Sequence, residues 1–71
     1  MTRLEDPLGN AHYPPLLSTA QAAKMTGLSE EWFFLGRKGG YGPPYLRVGS
    51  RIVRYDRDEI LEWFRSHRVE P

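Results

Sequence analysis

Hydrophobic and polar positions change their spacing several times along the 71-residue chain, and each change predicts a different element. Residues 1–15 follow neither a helical nor an alternating period, which predicts an irregular arm. Ser18 and Gln21 have the spacing of a capping box, so we expect a first helix over about 19–25. The residues expected to face the core from this region are Leu17, Ala20 and Ala23.

A second helix is expected immediately after the first. Gly27 supplies a helix-terminating residue, Leu28 has the character of a core residue, and Ser29 is a good N-cap. The charges at the two ends of the predicted helix, 30–38, complement its dipole, with Glu30 and Glu31 at the start and Arg37 and Lys38 at the end. Two short helices joined by so tight a turn predict a helix-turn-helix.

Gly36 lies inside the second predicted helix, where it costs roughly 1 kcal/mol relative to alanine. Two compensations are open: close packing of a neighbouring segment, or coverage of the gap by the ring of Trp32.

Alternating β-branched and aromatic residues over 45–48 and 52–55 predict a β-hairpin. Gly49 and Ser50 form the predicted two-residue loop. The side chains expected to face the core are Leu46, Val48 and Val53. Those expected to face solvent are Arg47, Arg51 and Arg54.

The last predicted helix covers about 57–67. Asp56 is its expected N-cap, and its apolar face consists of Ile60, Leu61 and Phe64, with Trp63 beside it. The order helix, turn, helix, hairpin, helix predicts a mainly α fold with a small β-hairpin, a winged helix-turn-helix, over 16–68, followed by a tail at 69–71.

Charge is distributed unevenly along the chain. Between Arg37 and Arg57 there are six Lys or Arg residues and one acid, Asp56, a net charge of +5, whereas the remaining positions have four bases and eight acids, a net charge of −4. The basic residues fall on a helix end and a hairpin, which are elements that fit a nucleic-acid groove. We therefore expect double-stranded DNA as the partner, with about five phosphate contacts and a log-log salt slope of about −4.5. A solvated basic face is the alternative.

Other chemistries find little support. The chain has no cysteine, and its two histidines, His12 and His67, lie near opposite ends, so neither a metal nor a cofactor is expected. The glycines at 36–42 are not followed by the Lys-Ser/Thr of a phosphate loop, and no base is placed to activate a serine. Catalysis, a small-molecule ligand and a membrane span are not expected, and the composition favours a soluble, cytoplasmic protein. The expected binding to DNA would place it at the nucleoid.

Three segments, 17–29, 42–55 and 58–64, together resemble the excisionase and AlpA-like family. Its members are small winged-helix proteins of phages and mobile elements, similar to the DNA-binding part of MerR regulators. In that family the second helix enters the major groove, and a basic residue of the wing reaches the minor groove. A polar residue usually occupies the position of Leu35, and a bulky one that of Gly36.

The resemblance implies a sequence-specific accessory protein, a recombination directionality factor that bends DNA and promotes excision by an integrase or recombinase. Head-to-tail self-association on DNA, through exposed Trp or Phe surfaces, is a further hypothesis. The candidate DNA-binding residues are Thr19, Glu31, Leu35, Arg37, Lys38, Arg47, Ser50, Arg51 and Arg54.

Two alternative functions stay open. One is an AlpA-like transcription regulator of a prophage or integrative element, which has the same fold. The other is a protein-interaction module, because three consecutive aromatic residues at 32–34 span about 200° of a helix and cannot all be buried. The candidate interface residues are Trp32, Phe34 and Trp63.

Overall fold

The computed structural model describes residues 13–70, which form three helices and a three-stranded antiparallel sheet. In chain order the elements are β1 (Leu16–Leu17), α1 (Thr19–Thr26), α2 (Glu30–Gly39), β2 (Leu46–Val48), β3 (Ile52–Asp56) and α3 (Arg57–Arg65). The three predicted helices and the predicted hairpin are confirmed, although α3 ends at Arg65 rather than near residue 67. The strand β1 is an addition. Most of the predicted arm, residues 1–12, lies outside the described residues, as does Pro71 of the predicted tail.

Side-chain caps fix the start of each helix. Ser18 Oγ accepts a hydrogen bond from the backbone N–H of Gln21 at 3.1 Å, and Gln21 Oε1 accepts one from the N–H of Ser18 at 2.9 Å, so the capping box is confirmed. Ser29 Oγ accepts from the N–H of Trp32 at 3.0 Å. Asp56 Oδ1 caps α3 by accepting from the backbone N–H groups of the second and third helical residues. These caps satisfy N–H groups that have no partner within the helix.

The sheet has β3 in the centre, paired antiparallel with β1 on one side and β2 on the other. Leu17 lies opposite Tyr55, and Arg47 lies opposite Val53. Because paired residues share a face and alternate residues of a strand share a face, these four side chains lie on the side of the sheet that meets the helices. We call this the inner face.

The core lies between the inner face and the three helices. Phe33 of α2 and Tyr55 of β3 are fully buried, and their ring centroids are 5.1 Å apart in an edge-to-face arrangement. The buried hydrophobic residues are Leu17, Ala22, Ala23, Met25, Phe33, Tyr55, Ile60 and Leu61. The partly buried residues packed against them are Tyr13, Trp32, Tyr45, Val53 and Phe64.

The predicted core positions of Leu46 and Val48 are wrong, because these side chains are 45% and 62% exposed. The hairpin loop contains three residues, 49–51, rather than two, since Val48 pairs with Ile52. One additional loop residue shifts the register of β2 against β3 by one position and moves every β2 side chain to the opposite face. Arg47 therefore lies on the inner face, and Leu46 and Val48 lie on the outer face.

Two further core predictions are wrong. Ala20 is exposed, because it lies about 200° around α1 from the buried Ala22. Leu28 is 37% exposed in the turn between α1 and α2, where its backbone N–H donates to the carbonyl of Ala23 at 3.0 Å. The turn is held by its backbone rather than by a buried leucine.

Gly36 allows the segment after α2 to pack directly on the helix. A Cβ atom at Gly36 would lie 3.1 Å from the Cα of Gly42, a spacing that only glycine accommodates without movement. The Gly36 carbonyl accepts hydrogen bonds from the N–H groups of Gly40, Tyr41 and Gly42. Close packing of the following segment therefore compensates for the glycine inside α2, as the first of the two alternatives predicted.

Within residues 13–70 the longest helix, α2, has 10 residues, and no helix is long and apolar enough to cross a membrane.

Candidate nucleic-acid interface

A cleft lies between the C-terminal half of α2 and the β2–β3 hairpin. It has a volume of about 330 Å³ and is lined by Phe34, Arg37, Lys38, Arg47, Arg51 and Val53. Four of these six residues are cationic and none is acidic. We call it the basic cleft.

The strand register brings Arg47 to the basic cleft. Arg47 is paired with Val53 on the inner face of the sheet. Its guanidinium lies 5.6 Å from the ring centroid of Tyr45, a cation–π distance, and the side chain is exposed. Arg51 reaches the same cleft from the hairpin loop and is also exposed.

Arg37 enters the cleft from α2 and is half-buried. Its Nη1 donates hydrogen bonds to the hydroxyl of Tyr55 at 2.7 Å and to Thr19 Oγ1 at 3.2 Å. The guanidinium also lies 5.8 to 5.9 Å from the ring centroids of Phe34, Tyr45 and Tyr55. Arg37 therefore joins α1, α2 and β3. We call the group of Thr19, Arg37 and Tyr55 the junction.

Lys38, the fourth cation, is exposed, and its Nζ lies 5.9 Å from the ring centroid of Phe34. The ring of Phe34 thus has the cations of both Arg37 and Lys38 within 6 Å. A ring face attracts cations through its quadrupole, which helps to keep these two side chains at the cleft.

The other two basic residues between positions 37 and 57 lie elsewhere. Arg54 is paired with Leu46 on the outer face, and its Nη1 donates to the carbonyl of Val53 at 2.8 Å. Arg57, the first residue of α3, donates to the carbonyl of Tyr13, and its Nε lies 3.6 Å from Asp58 Oδ1. The predicted basic stretch is therefore divided, with four residues at the cleft and two outside it.

The solvent face of α2 combines charged and apolar residues. Glu31, Phe34, Leu35 and Lys38 are all exposed, and their i, i+3, i+4, i+7 spacing places them along one stripe. Phe34 is 52% exposed and Leu35 is 43% exposed. We call this the α2 stripe, and the cleft borders it at Phe34 and Lys38.

Among the other predicted DNA-binding residues, Ser50 lies in the hairpin loop and is exposed, whereas Thr19 is half-buried as an acceptor for Arg37.

The aromatic residues predicted to form a protein interface lie in two separate places. Trp32 and Trp63 are half-buried and lie 6.3 Å apart in an aromatic cluster with Phe64, whereas Phe34 lies at the basic cleft. The three residues therefore do not form one surface.

Sequence reasoning missed the parts of the cleft that depend on tertiary contacts. It did not include Val53, Tyr45 or Tyr55, and it assigned Phe34 to a protein interface. The alternation of β3 could have identified Val53 and Tyr55 as neighbours on one face. No local pattern connects either residue to α2.

A second concavity, of about 530 Å³, lies along α3 and is lined by Asp58, Leu61, Glu62, Arg65 and Ser66. Its two carboxylates make it a poor match for a polyanion, although it is the larger of the two concavities.

Among residues 13–70 there is no group of three or more His, Cys, Asp or Glu side chains that could hold a metal ion. His67 Nδ1 instead lies 2.8 Å from the carbonyl of Trp63.

The chain matches no model of a known protein family, and no curated protein matches it.

Proposed function

We propose that the protein is a sequence-specific, non-enzymatic DNA-binding protein with a winged helix-turn-helix fold. The observation that carries the proposal is the basic cleft, where a helix and a hairpin bring four cations together without a carboxylate. Arginine and lysine are charged at neutral pH, and phosphate contacts supply most of the affinity of such proteins for DNA.

In the proposed complex α2 docks in the major groove. A helix with its side chains is about 10–12 Å in diameter, and the major groove of B-DNA is about 12 Å wide. The α2 stripe would face the base edges, and the hairpin loop with Ser50 and Arg51 would act as a wing that reaches the adjacent minor groove. The cleft between them would hold the intervening phosphates.

The cellular role that we propose is that of an excisionase, which bends DNA so that an integrase can assemble an excision complex. Support comes from the resemblance of residues 17–29, 42–55 and 58–64 to that family. A module of this size buries only about 600–1,000 Å² on DNA, so a single copy would bind weakly and several adjacent copies would be needed. Its place of action would be the nucleoid.

Binding to duplex DNA is tested with a pair of double variants measured by fluorescence anisotropy at one salt concentration. Arg47→Ala with Arg51→Ala removes two cations from the cleft and is expected to weaken binding at least tenfold, since each lost phosphate contact lowers affinity. Arg65→Ala with Arg68→Ala removes the same charge from α3 and its C-terminal side and is the matched control. Equal losses in the two double variants would contradict the assignment of the cleft.

A footprint on DNA flanking the gene then separates the two roles that the fold permits. Several adjacent protected sites within an attachment region are expected for an excisionase. A single site over a promoter would instead indicate a transcription regulator.

A further inference from the structure

The α2 stripe has an apolar centre between charged ends. Phe34 and Leu35 are about half exposed, with Glu31 one turn before them and Lys38 one turn after. Exposing two large apolar side chains to water on the solvent face of a short helix is unfavourable. Contact with a binding partner that covers them would recover this free energy.

We infer that Phe34 and Leu35 contact the 5-methyl groups of thymines in the major groove and thereby determine which DNA sequence the protein prefers. This inference rests on the proposed function and adds to it the chemical feature that is recognised.

The surrounding charge favours DNA over an apolar protein surface as the occupant. The cations of Arg37 and Lys38 lie within 6 Å of the Phe34 ring, and Arg47 and Arg51 line the same cleft. An apolar partner that covered Phe34 would also remove water from these cations without compensating their charge, which is costly. DNA offers methyl groups to the ring and phosphates to the cations at the same time.

The chemistry of the base edges favours thymine over the other bases. Thymine is the base with a methyl group on the major-groove edge, whereas cytosine and adenine present amino donors and guanine presents two acceptors. Phenylalanine and leucine side chains cannot form hydrogen bonds with these groups, so covering them would leave a polar atom without a partner. Apolar contact with the thymine methyl has no such penalty.

The charged ends of the stripe fit the same arrangement. Glu31 can accept a hydrogen bond from the cytosine amino group, and Lys38 can donate to guanine O6 and N7. Successive positions on a helix differ by 100°, so Phe34 and Leu35 face opposite sides of the stripe and would contact different bases. The expected preference is for thymines in the centre, with cytosine and guanine towards the two ends of the helix.

The test compares two duplexes of the footprinted sequence, one with thymine and one with deoxyuridine at the same positions. Deoxyuridine keeps the base pairing and the O4 acceptor and lacks only the methyl group. Wild-type protein is expected to bind the thymine duplex about fourfold more tightly for each buried methyl group. In Leu35→Ala or Phe34→Ala the preference is expected to decrease, and in the double variant to disappear.

Leu46→Ala is the matched control, because Leu46 is 45% exposed and lies on the outer face of the sheet, away from the cleft. It is expected to keep the wild-type preference. If wild type binds both duplexes with the same salt-dependent affinity, or if the double variant keeps the preference, methyl recognition by these residues is wrong while DNA binding stands. Failure to bind either duplex would instead contradict the proposed function.

Discussion

The junction and the β2–β3 hairpin each supply arginines to the basic cleft but hold them in different ways. At the junction, Arg37 is half-buried and donates to Thr19 and to the fully buried Tyr55. On the hairpin, Arg47 and Arg51 are exposed, and within residues 13–70 no carboxylate lies within 4.0 Å of either.

Arg37 and the hairpin arginines therefore have different roles, which a count of charges does not distinguish. The guanidinium of Arg37 joins three elements and sets the position of α2 against the sheet, so its loss would alter both the fold and the cleft. Within residues 13–70 the side chains of Arg47 and Arg51 form no hydrogen bond or ion pair, and Arg47 contacts only the edge of the core, at the ring of Tyr45. Their charge is therefore available to a ligand. Variants at Phe33, Tyr55, Arg51 and Arg54 test this division.

The largest effect is expected beneath the junction, at Phe33. Phe33→Ala removes a fully buried ring that packs against Tyr55 and should lower the free energy of unfolding by about 3–5 kcal/mol. Chemical denaturation followed by circular dichroism measures the change. The adjacent Phe34→Ala, which removes a half-exposed ring, is the matched control and should change stability by less than about 1 kcal/mol. Similar losses in both variants would contradict the orientation of α2 that buries Phe33 and exposes Phe34.

The hydrogen bond at the junction gives the next largest effect. Tyr55→Phe keeps the ring but removes the hydroxyl that accepts from Arg37, and hydrogen bonds to charged groups contribute about 1.5–3 kcal/mol. We expect a loss of stability in this range, measured by denaturation, together with weaker DNA binding. Tyr45→Phe is the control, since it keeps a ring beside the same cation. An unchanged free energy of unfolding in Tyr55→Phe would contradict the claim that Arg37 joins α2 to β3.

At the hairpin the expected effect is on binding alone. Arg51→Ala should weaken DNA binding severalfold, because one phosphate contact is lost. The melting temperature should stay unchanged, since the side chain is exposed in the loop. Calorimetry and a binding titration on the same sample measure both quantities. A lower melting temperature would show that the loop is tied to the core.

The smallest effect is expected at Arg54, three residues further along the hairpin. Its side chain belongs to the outer face, so Arg54→Ala should reduce affinity for DNA less than Arg51→Ala does. Because both variants remove one positive charge, the comparison separates the effect of an arginine's position on DNA affinity from the effect of net charge. Equal losses would indicate that DNA follows the general charge of the hairpin rather than the cleft.

The helices and their N-terminal starts could be predicted from the sequence because the determinants are local. Ser18 and Gln21 form their capping box within three residues, and Asp56 caps α3 over the same distance. The faces of the hairpin could not be predicted, because the loop contains one residue more than expected. That single residue decides whether Leu46 or Arg47 lies on the inner face.

The junction also could not be predicted from local sequence patterns. Arg37 is 18 residues from each of its hydrogen-bond partners, Thr19 and Tyr55, and both bonds depend on the packing of α1, α2 and β3. Charge distribution located the general region of the cleft correctly. It could not distinguish Arg47, which lines the cleft, from Arg54, which lies on the other face.

The salt dependence of duplex-DNA binding measures how many phosphates the basic cleft neutralises. Four cations at the cleft, each neutralising one phosphate, predict a slope of about −3.6 in a plot of log association constant against log salt concentration. The double variant Arg47→Ala with Arg51→Ala should reduce this slope to about −1.8. A wild-type slope near zero, or the same slope in both proteins, would contradict the claim that the basic cleft binds the DNA backbone.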